Sequence, residues 1–273
     1  MDKLIGNYFI KNKSILEKEE FNYTLYPLNV YEVIRVIDRT PLFLEEHLKR
    51  MNESLTLSGI TPPKSIEEIK NLMIRLIKKN QIKNGNIKLL INKDKATDLY
   101  LYFIPHSYPE MKLYREGIAV ASISIERKNP NAKVIDEHYK KTVTSFIEDR
   151  NIYEALLVNK EGFFTEGSKS NVFFVINGVL VTPPLKDVLG GVTRNRILAL
   201  ANEHQVKTLE KSIRPEDVKT LEGAFISGTS PKILPISSID GIKLKSAECD
   251  IIKSLINLYE DKIRDYIATN SAL

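Results

Sequence analysis

Helix-like and strand-like patterns are mixed along this chain without a regular strand–helix–strand alternation. Residues 29–37 have the composition of a strand, and residues 42–55 place apolar side chains at helical spacing. A second helix is predicted over residues 65–80, followed by strands over 86–92 and 98–105. The sequence contains no G-x-G-x-x-G or Walker motif, which disfavours a Rossmann or P-loop sheet. The pattern therefore predicts an α+β fold.

The second half of the chain continues this mixture. Residues 117–125 alternate like a strand, and the polar stretch 126–132 predicts a link between two domains. Beyond this link, the patterns predict a helix over 137–150, strands over 153–158, 170–176 and 222–227, a hairpin turn at Asn177-Gly178, a helix over 193–204 and a C-terminal helix from about residue 247. We therefore expect a smaller N-terminal α+β domain over residues 1–116 and a larger C-terminal domain over residues 117–273.

The composition is that of an ordinary globular protein. Of the 273 residues, 42% are hydrophobic and 27% are charged, which argues against a disordered or fibrous chain. Cys249 is the only cysteine, so an internal disulfide is excluded. The N-terminus lacks the features of a signal peptide, and no stretch approaches the ~18 apolar residues of a membrane span. These observations predict a cytoplasmic protein without membrane contact.

The net charge of +5 raises the question of a nucleic-acid partner. The excess of 40 basic over 35 acidic residues is small, and the lysines are interspersed with glutamates. In the densest basic stretch, residues 64–83, lysines alternate with Glu67, Glu68 and apolar residues, as on the solvated face of a helix. Charge alone therefore does not indicate nucleic-acid binding.

Three polar loops in the second half suit an anion. Residues 190–194 (GGVTR) open a predicted helix, where backbone N–H groups, the Thr193 hydroxyl and the helix dipole would favour an anion. Residues 227–230 (SGTS) follow a predicted strand. Residues 165–171 place Glu166 in a polar turn. Taken alone, each loop is more often a helix cap or a local turn.

The order of these loops resembles that of the class IV aminotransferases, the fold-type IV enzymes that use pyridoxal 5'-phosphate (PLP). The resemblance runs from about residue 30 to residue 241 and is carried by Tyr31–Arg35 (YEVIR), Leu42–Arg50 (LFLEEHLKR), Tyr153–Leu157 (YEALL), Thr165–Phe173 (TEGSKSNVF), Thr182–Pro184 (TPP), Leu189–Arg194 (LGGVTR) and Phe225–Ser230 (FISGTS). The family includes branched-chain aminotransferases, D-amino acid aminotransferases and aminodeoxychorismate lyases. The resemblance implies a two-domain α+β enzyme of the D-amino acid aminotransferase-like fold, a homodimer, with PLP in the cleft between the domains.

The resemblance further implies a lysine that holds PLP covalently and moves a proton during transamination. Lys133 lies 20 residues before Tyr153 and 33 before Glu166, and these spacings are similar to those of the family. Lys128, Lys140 and Lys141 compete for the role, but Lys140 and Lys141 fall inside a predicted helix. A chain without a catalytic lysine is the third possibility. The resemblance favours Lys133.

The same motifs imply the remaining cofactor contacts. Arg50 would contact the phosphate, because the fixed donors of a guanidinium match phosphate oxygens. Glu166 would keep the pyridine nitrogen protonated, which makes the ring an electron sink. The other implied cofactor-binding residues are Val192, Thr193, Ser170, Asn171, Gly228 and Thr229. Without the resemblance, Arg50 and Glu166 would both be assigned to a solvated surface.

The substrate side matches the family less well. Residues 24–30 read TLYPLNV where most members have a glycine- and aspartate-containing turn, and the arginine–glycine pair common in the family is missing around residues 88–92. The candidate substrate-binding residues are Tyr31, Thr229, Ser230 and His106. Tyr31 is equally compatible with a strand core, and His106 is compatible with an ordinary loop histidine. No metal site is expected.

These expectations lead to one function and several alternatives. The leading function is transamination of a branched-chain or similar apolar amino acid, with 2-oxoglutarate as the partner keto acid. Within the family, the alternatives are an aminodeoxychorismate lyase, which breaks a carbon–carbon bond with PLP, and a D-amino acid aminotransferase. A non-catalytic relative that binds an anion or nucleic acid is the distant alternative.

Overall fold

The structure is a computed structural model that describes residues 3–270. The chain forms two compact units. Within the described residues, the first unit contains residues 3–107, 132–135 and 263–270, and the second contains residues 108–131 and 136–262. Each unit is therefore assembled from several stretches of chain, whereas the sequence predicts one continuous stretch for each domain, 1–116 and 117–273.

The first unit is built on a six-stranded antiparallel sheet with two helices. Its elements are β1 (Ile5–Lys11), β2 (Ser14–Glu17), β3 (Leu28–Ile37), β4 (Thr40–Pro41), α1 (Leu44–Leu57), α2 (Ile66–Asn80), β5 (Gly85–Lys93) and β6 (Thr97–Ile104). The strand order is β2-β1-β6-β5-β3-β4. An aliphatic core joins the buried faces of both helices to the sheet. Helix α1 packs against β3, the strand next to the edge of the sheet, and this packing positions the residues of the site.

Helix α2 follows from its local sequence. The Ser65 hydroxyl accepts a hydrogen bond from the Glu68 N–H, and the Glu68 carboxylate accepts one from the Ser65 N–H. This reciprocal capping satisfies two donors at the helix start. The buried stripe of the helix consists of Ile69, Leu72, Met73, Leu76 and Ile77. The predicted helix over residues 65–80 is confirmed.

Helix α1 begins at Leu44, two residues after the first apolar position of the predicted pattern. Thr40 and Pro41 pair with β3 as the short strand β4. Phe43 then adopts a left-handed φ of 53°, which is incompatible with the helix and sets its first residue. The turn therefore delays the helix that the spacing predicts over residues 42–55.

The second unit is built on a nine-stranded mixed sheet. Its elements are α3 (Met111–Glu116), β7 (Ile118–Ser124), α4 (Glu137–Arg150), β8 (Glu154–Val158), β9 (Phe164–Gly167), β10 (Asn171–Ile176), β11 (Val179–Thr182), α5 (Val192–Glu203), β12 (Thr208–Glu210), β13 (Gly223–Gly228), β14 (Lys232–Ile239), β15 (Ile242–Lys243) and α6 (Asp250–Asn270), of which residues 250–262 belong to this unit. The strand order is β12-β11-β10-β13-β14-β7-β8-β9, and β15 pairs with β14.

The strand pairing confirms the predicted α+β class. In the second sheet β7 is parallel to β8 and to β14, and β11 is parallel to β12, while the other neighbouring strands are antiparallel. The predicted Asn177-Gly178 hairpin joins β10 to β11, and both residues have positive φ, 50° and 69°. Among residues 3–270, no helix is both long and apolar enough to span a membrane.

Candidate active site

Lys133 lies in residues 132–135, a short non-helical segment that belongs to the first unit. Its carbonyl oxygen accepts a hydrogen bond from the Tyr31 N–H (3.0 Å), and its own N–H donates to the Ser54 hydroxyl (3.2 Å). Tyr31 is on β3 and Ser54 is on α1. The backbone of Lys133 is therefore fixed by two elements of the core.

Two ammonium groups lie beside the Tyr31 ring. Lys133 Nζ is 4.9 Å from the ring centroid, and Lys88 Nζ is 5.1 Å from it. Lys88 is on β5, opposite Val33 of β3, and is only 7% exposed. The ring face attracts both cations, but two like charges in a poorly solvated place repel each other. This part of the unit is thus suited to a carboxylate or a phosphate.

The competing lysines have different surroundings. Lys133 is half-buried, whereas Lys140 and Lys141 are exposed on α4 and Lys128 is exposed in the loop after β7. A reactive amine must lose its proton, and removal from water favours the neutral form. Of these four lysines, Lys133 has the surroundings that suit a reactive amine.

Arg50 lies in a buried charge cluster that sequence reasoning missed. Its Nε and Nη2 donate to the two carboxylate oxygens of Glu32 at 2.7 and 2.6 Å. His47 Nδ1 lies 2.8 Å from the same carboxylate. Glu32 is on β3, and His47 and Arg50 share one face of α1 because they are three residues apart. The bidentate, charge-assisted pair fixes the plane of the Arg50 guanidinium.

The cluster also fixes its own protonation state. Burial alone would raise the pKa of Glu32, but the Arg50 guanidinium and the hydrogen bond with His47 lower this pKa from 4.5 to about 2. Burial lowers the pKa of His47 below 6.5, and Glu32 only partly offsets this effect. At neutral pH the cluster is therefore a carboxylate, a guanidinium and a neutral imidazole.

This pairing predicts a loss of stability in acid. Because the folded protein holds Glu32 ionised, its contribution is complete above pH 4.5 and is lost as the pH falls from 4.5 towards 2. The shift corresponds to roughly 3 kcal/mol of the free energy of unfolding. Urea unfolding at a series of pH values measures it. Glu32→Gln should flatten the curve in this window, whereas Glu19→Gln, in an exposed pair with Lys18, should leave it unchanged. An unaltered slope in Glu32→Gln would contradict the assignment.

In the second unit, Glu166 lies on strand β9, and the expectation that it sits in a polar turn is wrong. The antiparallel pairing of β9 with β8 extends to Gly167, so the turn begins only at Ser168. Glu166 is 4% exposed. One carboxylate oxygen lies 3.1 Å from a guanidinium nitrogen of Arg127, and the other accepts a hydrogen bond from the Leu189 N–H (3.1 Å). Both oxygens of the Glu166 carboxylate are therefore held in place by hydrogen-bond donors.

The turn after β9 is organised by another buried carboxylate. One oxygen of Glu154 accepts hydrogen bonds from the Lys169 N–H (2.7 Å), the Ser170 hydroxyl (3.0 Å) and the Ser168 hydroxyl (3.2 Å). Burial raises the pKa of Glu154, and these donors partly offset the rise. A Cβ at Gly167 would collide with the Ser170 hydroxyl and lie 2.7 Å from a Glu154 carboxylate oxygen, so a larger residue would displace this hydrogen-bonded pair.

Strand pairing brings the three predicted polar loops together. Asn171, the first residue of β10, is the cross-strand partner of Ser227 near the end of β13. Asn171 Nδ2 donates to the Leu189 carbonyl (2.8 Å), and a Cβ added at Gly191 would collide with the Asn171 side-chain oxygen. The loops that contain Asn171, Gly191 and Ser227 therefore meet within the second unit.

The N-terminus of α5 supplies N–H donors at this place. Its N-cap is Gly191, which has no side chain to cap the helix, and its first turn contains no acidic residue. Val192 and Thr193, both buried, occupy the first turn. The N–H groups that the helix leaves unused and the helix dipole favour an anion here.

The Ser227 hydroxyl is buried and has no hydrogen-bond partner among residues 3–270. An unsatisfied buried hydroxyl costs roughly 1–3 kcal/mol. Ser227 directly precedes Gly228 and Thr229, which are half-buried at the end of β13. An oxygen of a bound anion at this loop would give the hydroxyl a partner. The second unit thus combines donors that suit an anion with an oriented carboxylate at Glu166.

The remaining predicted residues lie in varied surroundings. Ser170 and Asn171 are buried, at 7% and 6% exposure. Ser230 is half-buried in the loop after β13, and His106 is exposed in the loop after β6. In the first unit, the structure therefore gathers Tyr31, Arg50 and Lys133 around the start of β3 and the middle of α1, and His106 lies outside that core.

The chain is similar to known aminotransferases. Residues 29–239 match the family described as amino-transferase class IV. The branched-chain-amino-acid aminotransferase of Pseudomonas aeruginosa is 28% identical over 240 residues, which cover 80% of this chain and 78% of that protein. The D-alanine aminotransferase of Bacillus licheniformis is 27% identical over 224 residues, 78% of this chain and 79% of that protein.

The likeness extends to the fold. A branched-chain amino acid aminotransferase from Thermobaculum terrenum, solved in its PLP form, has a TM-score of 0.84 and 25% identity, and the match covers 97% of this chain and 96% of that chain. The predicted fold type IV is therefore confirmed. The family match spans well over half of the chain. This chain therefore belongs to the class IV aminotransferases, a family of PLP-dependent enzymes.

Proposed function

We propose that this protein is a PLP-dependent aminotransferase of branched-chain or similarly apolar amino acids, with 2-oxoglutarate as the partner keto acid. The observation that supports the proposal is that the Glu166 carboxylate accepts from the Leu189 N–H, close to the unused N–H donors at the start of α5 in the second unit. Relatives named as branched-chain aminotransferases support the amino acid class.

The residues present fit the chemical groups of PLP. A phosphate suits the uncapped start of α5 and the buried Ser227 hydroxyl, because both offer donors that the described protein does not use. A protonated ring nitrogen suits the carboxylate of Glu166. The proposed phosphate-binding residues are Arg50, Val192, Thr193, Gly228 and Thr229, with Ser170 and Asn171 completing the cofactor contacts. Lys133 is the proposed covalent attachment point.

Each of these residues would have a separate role in the reaction. Bound PLP withdraws electrons from the bonds at the substrate Cα, which makes the Cα proton easier to remove. Lys133 Nζ takes that proton and returns one during the exchange of the amino group. Glu166 keeps a proton on the ring nitrogen, and Glu32 holds the Arg50 guanidinium in a fixed plane for the phosphate.

We also propose that Lys88 binds a carboxylate of the dicarboxylic keto acid. Lys88 is buried, and its ammonium lies beside the Tyr31 ring, next to which Lys133 Nζ also lies. Lys88→Met keeps much of the side-chain length but removes the charge, so KM for 2-oxoglutarate should rise about tenfold or more. KM for the apolar amino acid should change less. Steady-state kinetics with both substrates varied measure the two values, and an equal rise in both would contradict this role.

A substrate comparison tests the proposed function itself. Purified protein supplied with PLP is assayed with L-leucine or D-alanine as amino donor and 2-oxoglutarate as acceptor. The proposal expects glutamate to form fastest with L-leucine. Faster reaction with D-alanine would assign the protein to the D-amino acid branch, which its Bacillus licheniformis relative represents. Pyruvate release from aminodeoxychorismate without amino transfer would assign it to the lyases.

The family resemblance also leads us to propose a homodimer. Light scattering during size-exclusion chromatography measures the mass of the particle in solution. A mass near twice that of one chain is expected, and the mass of a single chain would overturn the proposal.

A further inference from the structure

The helix α6 contacts two of the loops assigned above to the cofactor phosphate. Tyr259, buried at 4% exposure, donates a long hydrogen bond (3.4 Å) to the Thr193 hydroxyl at the start of α5. The next residue, Glu260, binds Lys232 Nζ through both carboxylate oxygens, at 2.6 and 2.7 Å. Two adjacent residues of one helix therefore reach two separate elements of the second unit.

Lys232 closes the loop that carries Gly228 and Thr229. It is the cross-strand partner of Gly228, so residues 229–231 connect β13 to β14. Its φ of 56° lies in the left-handed region, which a residue with a side chain adopts only when its surroundings stabilise it. The lysine side chain is 18% exposed and that of Glu260 is 37% exposed, so the ion pair is partly shielded from solvent. By holding Lys232, Glu260 holds the end of the loop.

The same loop is held from a second side. The Tyr114 hydroxyl of α3 donates to the Pro231 carbonyl at 2.9 Å. A hairpin connection fixed at Pro231 and at Lys232 has little freedom left at Gly228 and Thr229. The loop geometry therefore depends on side chains that are distant in sequence from the loop.

The helix α6 is itself seated on the strand that leads into this loop. Ile252, Leu255 and Tyr259 are buried at helical spacing along its inner face. A Cβ added at Gly223, the first residue of β13, would lie 2.9 Å from the Ile252 side chain, so helix and strand are in close contact. The helix is thus packed against β13 and bonded to the start of α5 and to the first residue of β14.

We propose that Tyr259 and Glu260 are positioning residues for the phosphate of the cofactor, an inference that rests on the proposed function. Glu260 holds the loop so that the Gly228 N–H and the Thr229 hydroxyl keep their places for the anion. Tyr259 fills an acceptor site of the Thr193 hydroxyl, which leaves the single Thr193 proton to be donated to a ligand oxygen. The C-terminal helix therefore sets the affinity for the phosphate although it does not touch it.

The test compares binding of PLP with binding of pyridoxal, which lacks the phosphate. In Glu260→Gln the dissociation constant for PLP should rise about tenfold, because a charged clamp is replaced by a neutral hydrogen bond. Tyr259→Phe should raise it about threefold, in keeping with a long, neutral bond. In both variants the dissociation constant for pyridoxal should stay unchanged. Absorbance titration measures all four values.

Matched controls separate positioning from general stability. Glu248→Gln breaks an exposed pair with Lys245 in the same unit and should leave PLP binding unchanged. The exchange of charges, Lys232→Glu with Glu260→Lys, should restore much of the PLP affinity. If Glu260→Gln does not fold, Tyr259→Phe, which removes one hydroxyl, provides the same comparison.

The outcomes are distinct. If Glu260→Gln and Tyr259→Phe fold normally and bind PLP as tightly as the wild type, the positioning role is wrong. An equal loss of affinity for PLP and for pyridoxal would also overturn that role. Both results would leave the proposed function intact. A wild-type protein that binds no PLP would overturn the proposed function and this inference with it.

Discussion

Replacing Lys133 by alanine will abolish covalent attachment of PLP and lower the aminotransferase rate by at least about 10²–10⁴-fold, the usual contribution of a positioned acid–base group. The reason is that this substitution removes both the proposed attachment point and the proposed base for the Cα proton. The phosphate contacts remain, so PLP should still bind non-covalently. Absorbance spectra and single-turnover rates with L-leucine measure the two effects.

The chain offers closely matched controls for this result. Lys140→Ala and Lys141→Ala change exposed lysines on α4. Both variants should keep covalent PLP and nearly full activity. Loss of attachment in Lys140→Ala or Lys141→Ala, with attachment retained in Lys133→Ala, would place the reactive amine on α4 and overturn the proposed site.

The second large effect is expected for Glu166→Gln. Glutamine keeps the shape and can still hydrogen-bond, but it removes the negative charge that favours a proton on the ring nitrogen. Cofactor occupancy should therefore stay close to that of the wild type, while removal of the Cα proton slows by on the order of 10²-fold, since each ~1.4 kcal/mol of barrier is tenfold in rate. Stopped-flow measurement of the half-reaction, with occupancy determined in the same preparation, tests this.

The ion pair of Glu166 with Arg127 provides a comparison variant for this experiment. Arg127 contacts one oxygen of Glu166 at 3.1 Å. Arg127→Met keeps the carboxylate but removes this partner, so it should slow the reaction less than Glu166→Gln does. Occupancy lost together with the rate in Glu166→Gln would mean that the residue only supports the fold. An unchanged rate would mean that another group keeps the proton on the ring.

Much of the fold is predictable because many elements have strong local signals. The predicted helix over residues 137–150 coincides with α4, which Asp136 caps by accepting a hydrogen bond from the Tyr139 N–H. The Asn177-Gly178 turn follows from the ease with which both residues adopt positive φ. Apolar spacing identifies the buried stripe of α2 but also includes Ile66, which is 41% exposed in the first turn of the helix.

The elements without a prediction are short or depend on distant partners. The short strand β12 is exposed and forms only by pairing with β11, so its own sequence carries little pattern. Strand β9 contains Glu166, and a carboxylate beside glycine and serine is typical of a turn. Its strand conformation comes from pairing with β8. Tertiary pairing outweighs local preference in both cases.

The residues of the candidate site also differ in how far the sequence predicts them. Motif order and spacing lead to Lys133, Arg50 and Glu166, but not to the partners that orient them. In hindsight, Glu32 carries a signal, because it is a charged residue in a strand of otherwise mostly apolar composition. Its pairing with Arg50 depends on the packing of α1 against β3, which no local pattern encodes. The loop that carries Arg127 offers no comparable signal.

Mapping the modified lysine tests whether PLP is attached covalently to Lys133. Borohydride reduction of the wild-type protein loaded with PLP makes the lysine–cofactor linkage permanent, and digestion followed by mass spectrometry locates it. We expect one modified peptide, with the added mass on Lys133. An adduct on Lys128, Lys140 or Lys141, or no adduct in a preparation that transfers amino groups, would contradict it.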